Sequence, residues 1–220
     1  MRSQRVFMTG GTGYLGSRLI PLLLERGYPV ALLLRPGSTA DVPRGAQVVT
    51  GNPLDAASVE EHLRPGDIVV QLVGVPKPAP WKGAQFRAVD RLSGLASMEA
   101  ARKVGASHFL YVSVAHPAPI MQNYIAVRRE CEAQLRASGL PATILRPWYI
   151  LGPGHWWPLA LQPLYRLMER LPSMKESAER LGLVTIQQML LTIVWAVEHP
   201  PDRIRIIDVP TIRRLGVDLS

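Results

Sequence analysis

Apolar and polar positions along this chain change period several times, and each change marks an element. Val6-Phe7-Met8 is a short apolar run that gives way at Thr9 to a glycine cluster, Gly10-Gly11-Thr12-Gly13. Beyond the cluster Leu15, Leu19, Leu22 and Leu23 fall on one helical stripe, closed by Gly27. The opening therefore reads strand, turn, helix. Residues 28–34 form a second apolar strand that runs out at Arg35. Residues 35–45 are too short and too rich in proline and glycine for a helix, which predicts an abbreviated crossover before a third strand, Gln47–Thr50. Asp55 or Ser58 is placed to cap a short helix reaching Leu63. Residues 67–74 are a fourth strand, followed by a proline-rich loop, 75–80, expected as a mobile flap. A long helix of small residues over 83–104, a strand at His108–Val112, a helix over 120–137 and a strand at Ala142–Leu145 complete the alternation.

Strands separated by crossover helices predict an α/β protein with a doubly wound parallel sheet of the Rossmann type, its ligand crevice at the carboxyl ends of the strands. Thr9, Arg35, Gly51, Gly74, Ser113 and Arg146-Pro147 all fall at those ends. After residue 147 the character changes. Trp148, Tyr149, Trp156 and Trp157 cluster around Gly152-Pro153-Gly154-His155, two helical patterns follow at 159–171 and 186–198, and a late strand at 203–209. The expected division is a dinucleotide-binding core over 1–147 and a small substrate-covering region over 148–220 packed on it. A flat or apolar small-molecule substrate is expected near Trp148, His155 and Trp156.

Composition narrows the class. The 220 residues are 47% hydrophobic and 19% charged, as in ordinary globular chains. The net charge of +8 comes mostly from dispersed arginines, with lysine only at 77, 82, 103 and 175, and no basic run interleaves with aromatics. No nucleic-acid partner is expected. One cysteine, Cys131, gives neither a disulfide nor a redox or metal motif, and no metal site is expected. Residues 183–197, the longest apolar stretch, are too short to span a bilayer. No signal peptide is apparent, so the cytoplasm is the expected compartment.

The chemistry begins at the glycine turn. Gly10 permits φ > 0, Gly13 permits a phosphate to approach bare backbone, and Gly16 permits close packing of helix on strand. The amides of the first helical turn, at the positive end of the helix dipole, suit a pyrophosphate. Arg35, with Ser38 close behind, stands where an acid would accept from the ribose of NAD; an arginine there suits the 2′-phosphate of NADP. NADP is the expected cofactor, with NAD as the alternative. Tyr124 and Arg128 lie one helical turn apart, so phenol and guanidinium share a face, and a neighbouring cation favours a phenolate for acid/base work. Ser113, at a strand end, is a candidate to hold a substrate carbonyl. The bland reading of Tyr124 is a core position in the stripe Ile120, Tyr124, Val127, Cys131, Leu135.

These residues resemble the short-chain dehydrogenase/reductase superfamily in its atypical extended branch, near NmrA-like proteins and the NAD(P)H-binding relatives of a complex I accessory subunit. Thr9-Gly10-Gly11-Thr12-Gly13-Tyr14-Leu15-Gly16 fits the branch's T-G-x-x-G-x-x-G, and Gly51-Asn52-Pro53-Leu54-Asp55 resembles its G-D-x-x-D with Asn52 in place of aspartate. Tyr111-Val112-Ser113 and residues 138–147 look like its fifth and sixth strand signatures. The resemblance implies cofactor contacts at Gly10, Thr12, Gly13, Tyr14, Leu15, Gly16, Arg35, Ser38, Asn52, Pro53, Val73, Gly74 and Pro147. It also implies catalysis by Ser113, Tyr124 and the residue four beyond, which is Arg128 where the superfamily has lysine. Arginine keeps the charge but does not release a proton to a relay. The expected activity is hydride transfer between a nicotinamide and a carbonyl or quinone-like molecule. The alternatives are a non-enzymatic dinucleotide-binding sensor or assembly factor with a protein partner, and an epimerase or dehydratase that retains its cofactor.

Overall fold

β1 (Val6–Thr9) is buried along its whole length, and its side chains alternate between two cores. Val6 and Met8 face one way and Phe7 the other, as the two-residue period of a strand requires. The same alternation runs through β2 (Val30–Leu34), β4 (Ile68–Gln71), β5 (His108–Val112) and β6 (Ala142–Leu145). A sheet apolar on both faces must be covered on both. The computed structural model, which describes residues 4–154 and 180–218, shows how. Helices α1 (Gly16–Glu25), α6 (Ile186–Glu198) and α7 (Val209–Asp218) cover one face. Helices α2 (Ala56–Glu60), α4 (Leu92–Val104) and α5 (Gln122–Ala137) cover the other.

With β3 (Gln47–Thr50) and β9 (Ile204–Ile207) the sheet has seven strands, all parallel, in the order β3-β2-β1-β4-β5-β6-β9. This is the doubly wound Rossmann arrangement. The strand order reverses between β1 and β4, and the crevice for a ligand opens at that switch point. No helix separates β2 from β3, as the short glycine- and proline-rich connection implied. Asp55, not Ser58, caps α2: its carboxylate accepts from the Ala57 amide, while the Ser58 hydroxyl accepts from the Asn52 amide.

Three features depart from the sequence pattern. The stretch expected as one helix over 83–104 begins with a 3₁₀ turn, Pro80–Lys82, continues as α3 (Gly83–Gln85) and passes through a π-helical segment, Phe86–Arg91, before α4. The late strand expected at 203–209 is only Ile204–Ile207, paired with β6 along four residues, and a helix that was not expected, α7, follows it and packs on the core. A two-stranded parallel pair, β7 (Tyr149–Leu151) with β8 (Leu183–Thr185), was not expected at all. Three-residue strands leave too little alternation to be read. His155, Trp156, Trp157 and the pattern at 159–171 lie outside the described residues.

His108 shows the consequence of burying an ionisable group in this sheet. It is fully buried, its Nε2 meets Thr143 Oγ1 at 3.0 Å, and its Nδ1 has no partner among the described residues. Burial, reinforced by Arg205, lowers its pKa from 6.5 to about 4. The unfolded chain therefore takes up a proton between pH 6.5 and 4 that the native state refuses. Stability should fall as pH drops through that window, by about 3 kcal/mol in total. His116, lowered first by burial, adds to the same direction. Urea unfolding at stepped pH checks this: His108→Gln should lose most of the slope, and an unchanged slope would contradict it.

Candidate functional site

The β1–α1 turn is set by close approach of backbone to backbone. Gly10 has φ +75°, and a Cβ there would lie 2.6 Å from both Leu72 C and Val73 N of the chain leaving β4. The Leu72 amide donates to the Thr9 carbonyl at 3.0 Å, so the two strand ends are tied together beneath the turn. The Gly13 amide donates back to the Gly10 carbonyl at 3.0 Å, and Ser17 N–H to the Gly13 carbonyl at 3.0 Å. A Cβ on Gly16 would strike the Gly11 backbone, so the helix start also rests directly on the turn. Gly13, by contrast, is exposed, with only the Gly10 carbonyl near its Cβ position.

Helix α1 starts without side-chain help. Leu15 occupies the N-cap position with no capping hydrogen bond, and the first turn holds no acidic residue. The positive end of the helix dipole is thus left for an outside anion. Thr12 and Gly13 are exposed, and Tyr14 and Leu15 partly so. Arg18 reaches back to the Tyr14 carbonyl at 2.8 Å, its guanidinium 4.6 Å from the Tyr14 ring centroid, which keeps a cation beside the turn. A Cβ on Gly152, just after β7, would meet the Tyr14 hydroxyl, so the chain beyond β7 closes one side of the crevice. The turn fits a dinucleotide: bare backbone, an uncapped helix and no competing carboxylate.

The other expected cofactor positions lie around the same rim. Arg35 and Ser38 are exposed where β2 ends, in a turn closed by Ser38 N–H donating to the Arg35 carbonyl at 3.1 Å. The Gly51 amide donates to the Leu34 carbonyl at 2.8 Å, which sets Asn52 and Pro53 beside Arg35. Asn52 is exposed, and its Oδ1 accepts from the Leu54 amide at 3.0 Å. Val73 and Gly74 leave the end of β4, and Pro147 lies just past β6, with its carbonyl accepting from the Ala115 amide.

Behind Gly74 stands a buried ion pair that the sequence did not announce. Arg128 NH2 donates to Asp90 Oδ1 at 2.6 Å, with side chains 6% and 0% exposed. Arg128 NH1 donates to the Tyr111 hydroxyl and to the Val112 carbonyl, both at 3.1 Å. Asp90 Oδ2 accepts from the Val75 amide at 3.1 Å, which fastens the backbone just after Gly74. A Cβ on Gly74 would lie 2.9 Å from Arg128 NH2 and 3.0 Å from Asp90 Oδ1. Asp90 lies within the π-helical segment and is fully buried. Burial pushes the Asp90 carboxyl above its usual range, against the pull of Arg128. Burial also pushes the Tyr111 phenol up, while Arg128 stays charged among Tyr111, Tyr124 and Asp90.

Tyr124 is partly buried, its ring 4.9 Å from Phe86 and its face over the Arg128 guanidinium at 4.9 Å. The cation therefore lies over the face of the ring. Ser113 is 3% exposed and donates its hydroxyl to Glu132 Oε1 at 2.7 Å. Glu132, fully buried, also accepts from Arg146 through both Nε, at 2.9 Å, and NH2, and from Arg136 at 3.2 Å. Burial alone would raise the Glu132 carboxyl; the hydrogen bonds from Arg146 and Ser113 outweigh it and hold the group below its usual range. Tyr124, Arg128 and Glu132 are spaced by four on α5. The expected trio is thus brought to one region, but Arg128 and Ser113 each face an internal carboxylate. Asp90 and Glu132 carried one signal in the sequence, an acid inside a buried stripe of small and apolar residues. Among the described residues no group of three or more His, Cys, Asp or Glu is placed to hold a metal.

Removing one member of the Arg128–Asp90 pair strands its partner's charge. Asp90→Asn or Arg128→Met alone should cost about 3–5 kcal/mol of stability, and the double replacement less than the sum. Urea unfolding measures this; a cost below about 1 kcal/mol for each single change would mean that water reaches the pair.

Comparison with known proteins agrees with this geometry. A family model described as NAD(P)H-binding matches residues 10–153. The ceramide reductase of Caulobacter vibrioides is 28% identical over 213 residues, which cover 96% of this chain and 66% of that protein. The chloroplastic divinyl chlorophyllide a 8-vinyl-reductase of Oryza sativa subsp. indica is 32% identical over 158 residues, 64% of this chain and 39% of that protein. The chain thus spans less than two thirds of the length of these relatives. The Bordetella bronchiseptica enzyme WbmH, solved in complex with NAD+, superposes with a TM-score of 0.69 over 97% of this chain and 79% of that one, at 23% identity, which establishes shared fold. The glycine turn at the switch point and the match running from it to the end of β7 make this chain a member of the NAD(P)H-binding family, within the atypical short-chain dehydrogenase/reductase superfamily.

Proposed function

We propose that the chain is an NADP(H)-dependent reductase that moves hydride between the nicotinamide and a carbonyl or quinone-like small molecule. The observation that carries this reading is the uncapped start of α1 beneath an exposed Gly13, with Arg35 at the end of the neighbouring strand. Thr12 to Gly16 would hold the pyrophosphate, Arg35 and Ser38 the 2′-phosphate, Asn52 and Pro53 the adenine side, and Val73, Gly74 and Pro147 the nicotinamide side. The relatives' names support reduction as the chemistry. The cofactor, when bound, would supply a hydride to the carbonyl carbon.

The chain's own residues supply the rest. Tyr124 gives its phenolic proton to the carbonyl oxygen as that carbon is reduced. Arg128 does not relay that proton; it fixes the floor under Gly74 and the face under Tyr124 through Asp90. A Ser113 hydroxyl that turned to the substrate would give up its bond to Glu132, so its part is to hold the end of β5 in place. The substrate would sit towards Trp148.

A second reading is favoured by the confinement of Arg128: a dinucleotide-binding regulator that signals to a protein partner without turnover. The two separate on NADPH consumption with a panel of aldehydes, ketones and quinones. Consumption that falls about 100-fold or more in Tyr124→Phe supports the reductase. Tight NADPH binding without consumption supports the regulator, and a cofactor that survives purification without net oxidation supports an epimerase or dehydratase.

Calorimetry tests the cofactor. NADP should bind at least tenfold more tightly than NAD, Arg35→Asp should remove that preference, and Gly13→Val should abolish binding of both while the fold persists. Equal affinities in the parent chain would defeat the assignment of Arg35.

A further inference from the structure

Trp81 is 83% exposed, in the 3₁₀ turn of the loop that follows β4. Ile120 is 58% exposed, in the loop that follows β5. β4 and β5 are neighbours in the sheet, so the two loops leave it side by side. They also touch: a Cβ on Gly83, directly after the 3₁₀ turn, would lie 3.0–3.4 Å from the Asn123 side chain at the start of α5. Tyr124 is the next residue, with its ring against Phe86. Trp81 and Ile120 therefore stand as two apolar projections at the rim above Tyr124. Among the described residues every other large aromatic is buried or partly buried, so an indole this exposed stands apart.

The exposed charge on the two loops is basic. Residues 72–89 carry Lys77, Lys82 and Arg87 and no Asp or Glu; residues 113–121 carry no Asp or Glu, and Arg129 is exposed on α5, next to a Glu130 that pairs with Arg91. Arg180 adds a further cation to the second loop, donating to the Pro117 carbonyl at 3.2 Å. Lys82 Nζ donates to the Pro76 and Lys77 carbonyls at 2.9 and 3.0 Å, folding the first loop back so that Trp81 is carried on its outer side. Prolines at 76, 78, 80, 117 and 119 stiffen both loops, so holding the two projections outward costs little chain entropy.

We infer that this rim docks on an anionic lipid bilayer, with Trp81 and Ile120 entering the headgroup region and the surrounding cations meeting lipid phosphates. Aromatic side chains favour that interface, and basic residues beside it add attraction to acidic lipid. Attachment is from the surface, since among the described residues no helix is long and apolar enough to cross a membrane. A protein partner suits the rim less well. Exposed Gln122 and Asn123 lie between the projections, whereas a protein interface needs a contiguous apolar centre. The inference stands independently of the cofactor and of turnover.

Flotation with phosphatidylcholine vesicles, alone or mixed with phosphatidylglycerol, tests it on the whole chain. The chain should float with the mixed vesicles only, and less as salt is raised. Trp81→Ala and Ile120→Ser should each lower partitioning about tenfold, and Lys77→Glu about fivefold, with circular dichroism and NADPH calorimetry unchanged. Tryptophan emission should shift to the blue on mixed vesicles in the parent chain and much less in Trp81→Ala. No flotation at low salt with NADPH binding intact would overturn the docking alone. Equal flotation of Trp81→Ala and parent would overturn it too, as would a chain that ignores vesicles but forms a protein complex lost on Trp81→Ala.

Discussion

The structure depends on one close approach. The backbone at Gly10 passes so near the backbone at Leu72 and Val73 that no side chain fits between them. That contact joins β1 to β4 at the point where the sheet changes direction, and it aims the first turn of α1 into the crevice. Because Leu15 gives α1 no side-chain cap, the remaining free amides at the helix start are left to solvent or to an anionic ligand. An alanine at Gly10 would disturb fold and site together; a bulky side chain at Gly13 would disturb chiefly the site, pressing only on the Gly10 carbonyl at 3.1 Å. The glycines of one motif thus divide between architecture and ligand, and exposure tells which is which.

Two buried polar clusters then stiffen the strand ends on which a reaction would take place. Asp90 holds the Val75 amide and Arg128 together under Gly74, and Glu132 gathers Ser113, Arg136 and Arg146 at the ends of β5 and β6. Buried charges are tolerated where every partner is in place, and both carboxylates here are met by at least two donors. The same economy limits chemistry. A guanidinium engaged with Asp90, Tyr111 and Val112 has little freedom to reach a ribose, and of the trio only Tyr124 is not bound to an internal carboxylate.

Much of this was legible in the chain before any coordinates. Continuous apolar runs at Val6–Met8 and its counterparts marked the strands, and the helical stripe from Leu15 marked α1, because both faces of the sheet and one face of each helix are buried. The abbreviated crossover after β2 followed from proline and glycine chemistry. The π-helical segment was not legible: it spans only Phe86–Arg91, too few residues for a changed period to be read, and only the inward Asp90 betrays it. Ser113 and Arg128 were rightly placed at strand end and helix face. Their partners, 19 and 38 residues away in the chain, could not be read from spacing. Nor could the pairing of β9 with β6, which depends on where α6 leaves the chain.

Amide spectra of the isotope-labelled chain, recorded with and without NADPH, address the central claim most directly. The account predicts large shifts and slowed hydrogen exchange for the amides of Thr12, Gly13, Tyr14, Leu15 and Gly16, with smaller changes around Arg35 and Gly74. Shifts concentrated elsewhere, with the amides at the start of α1 unmoved by saturating cofactor, would contradict it.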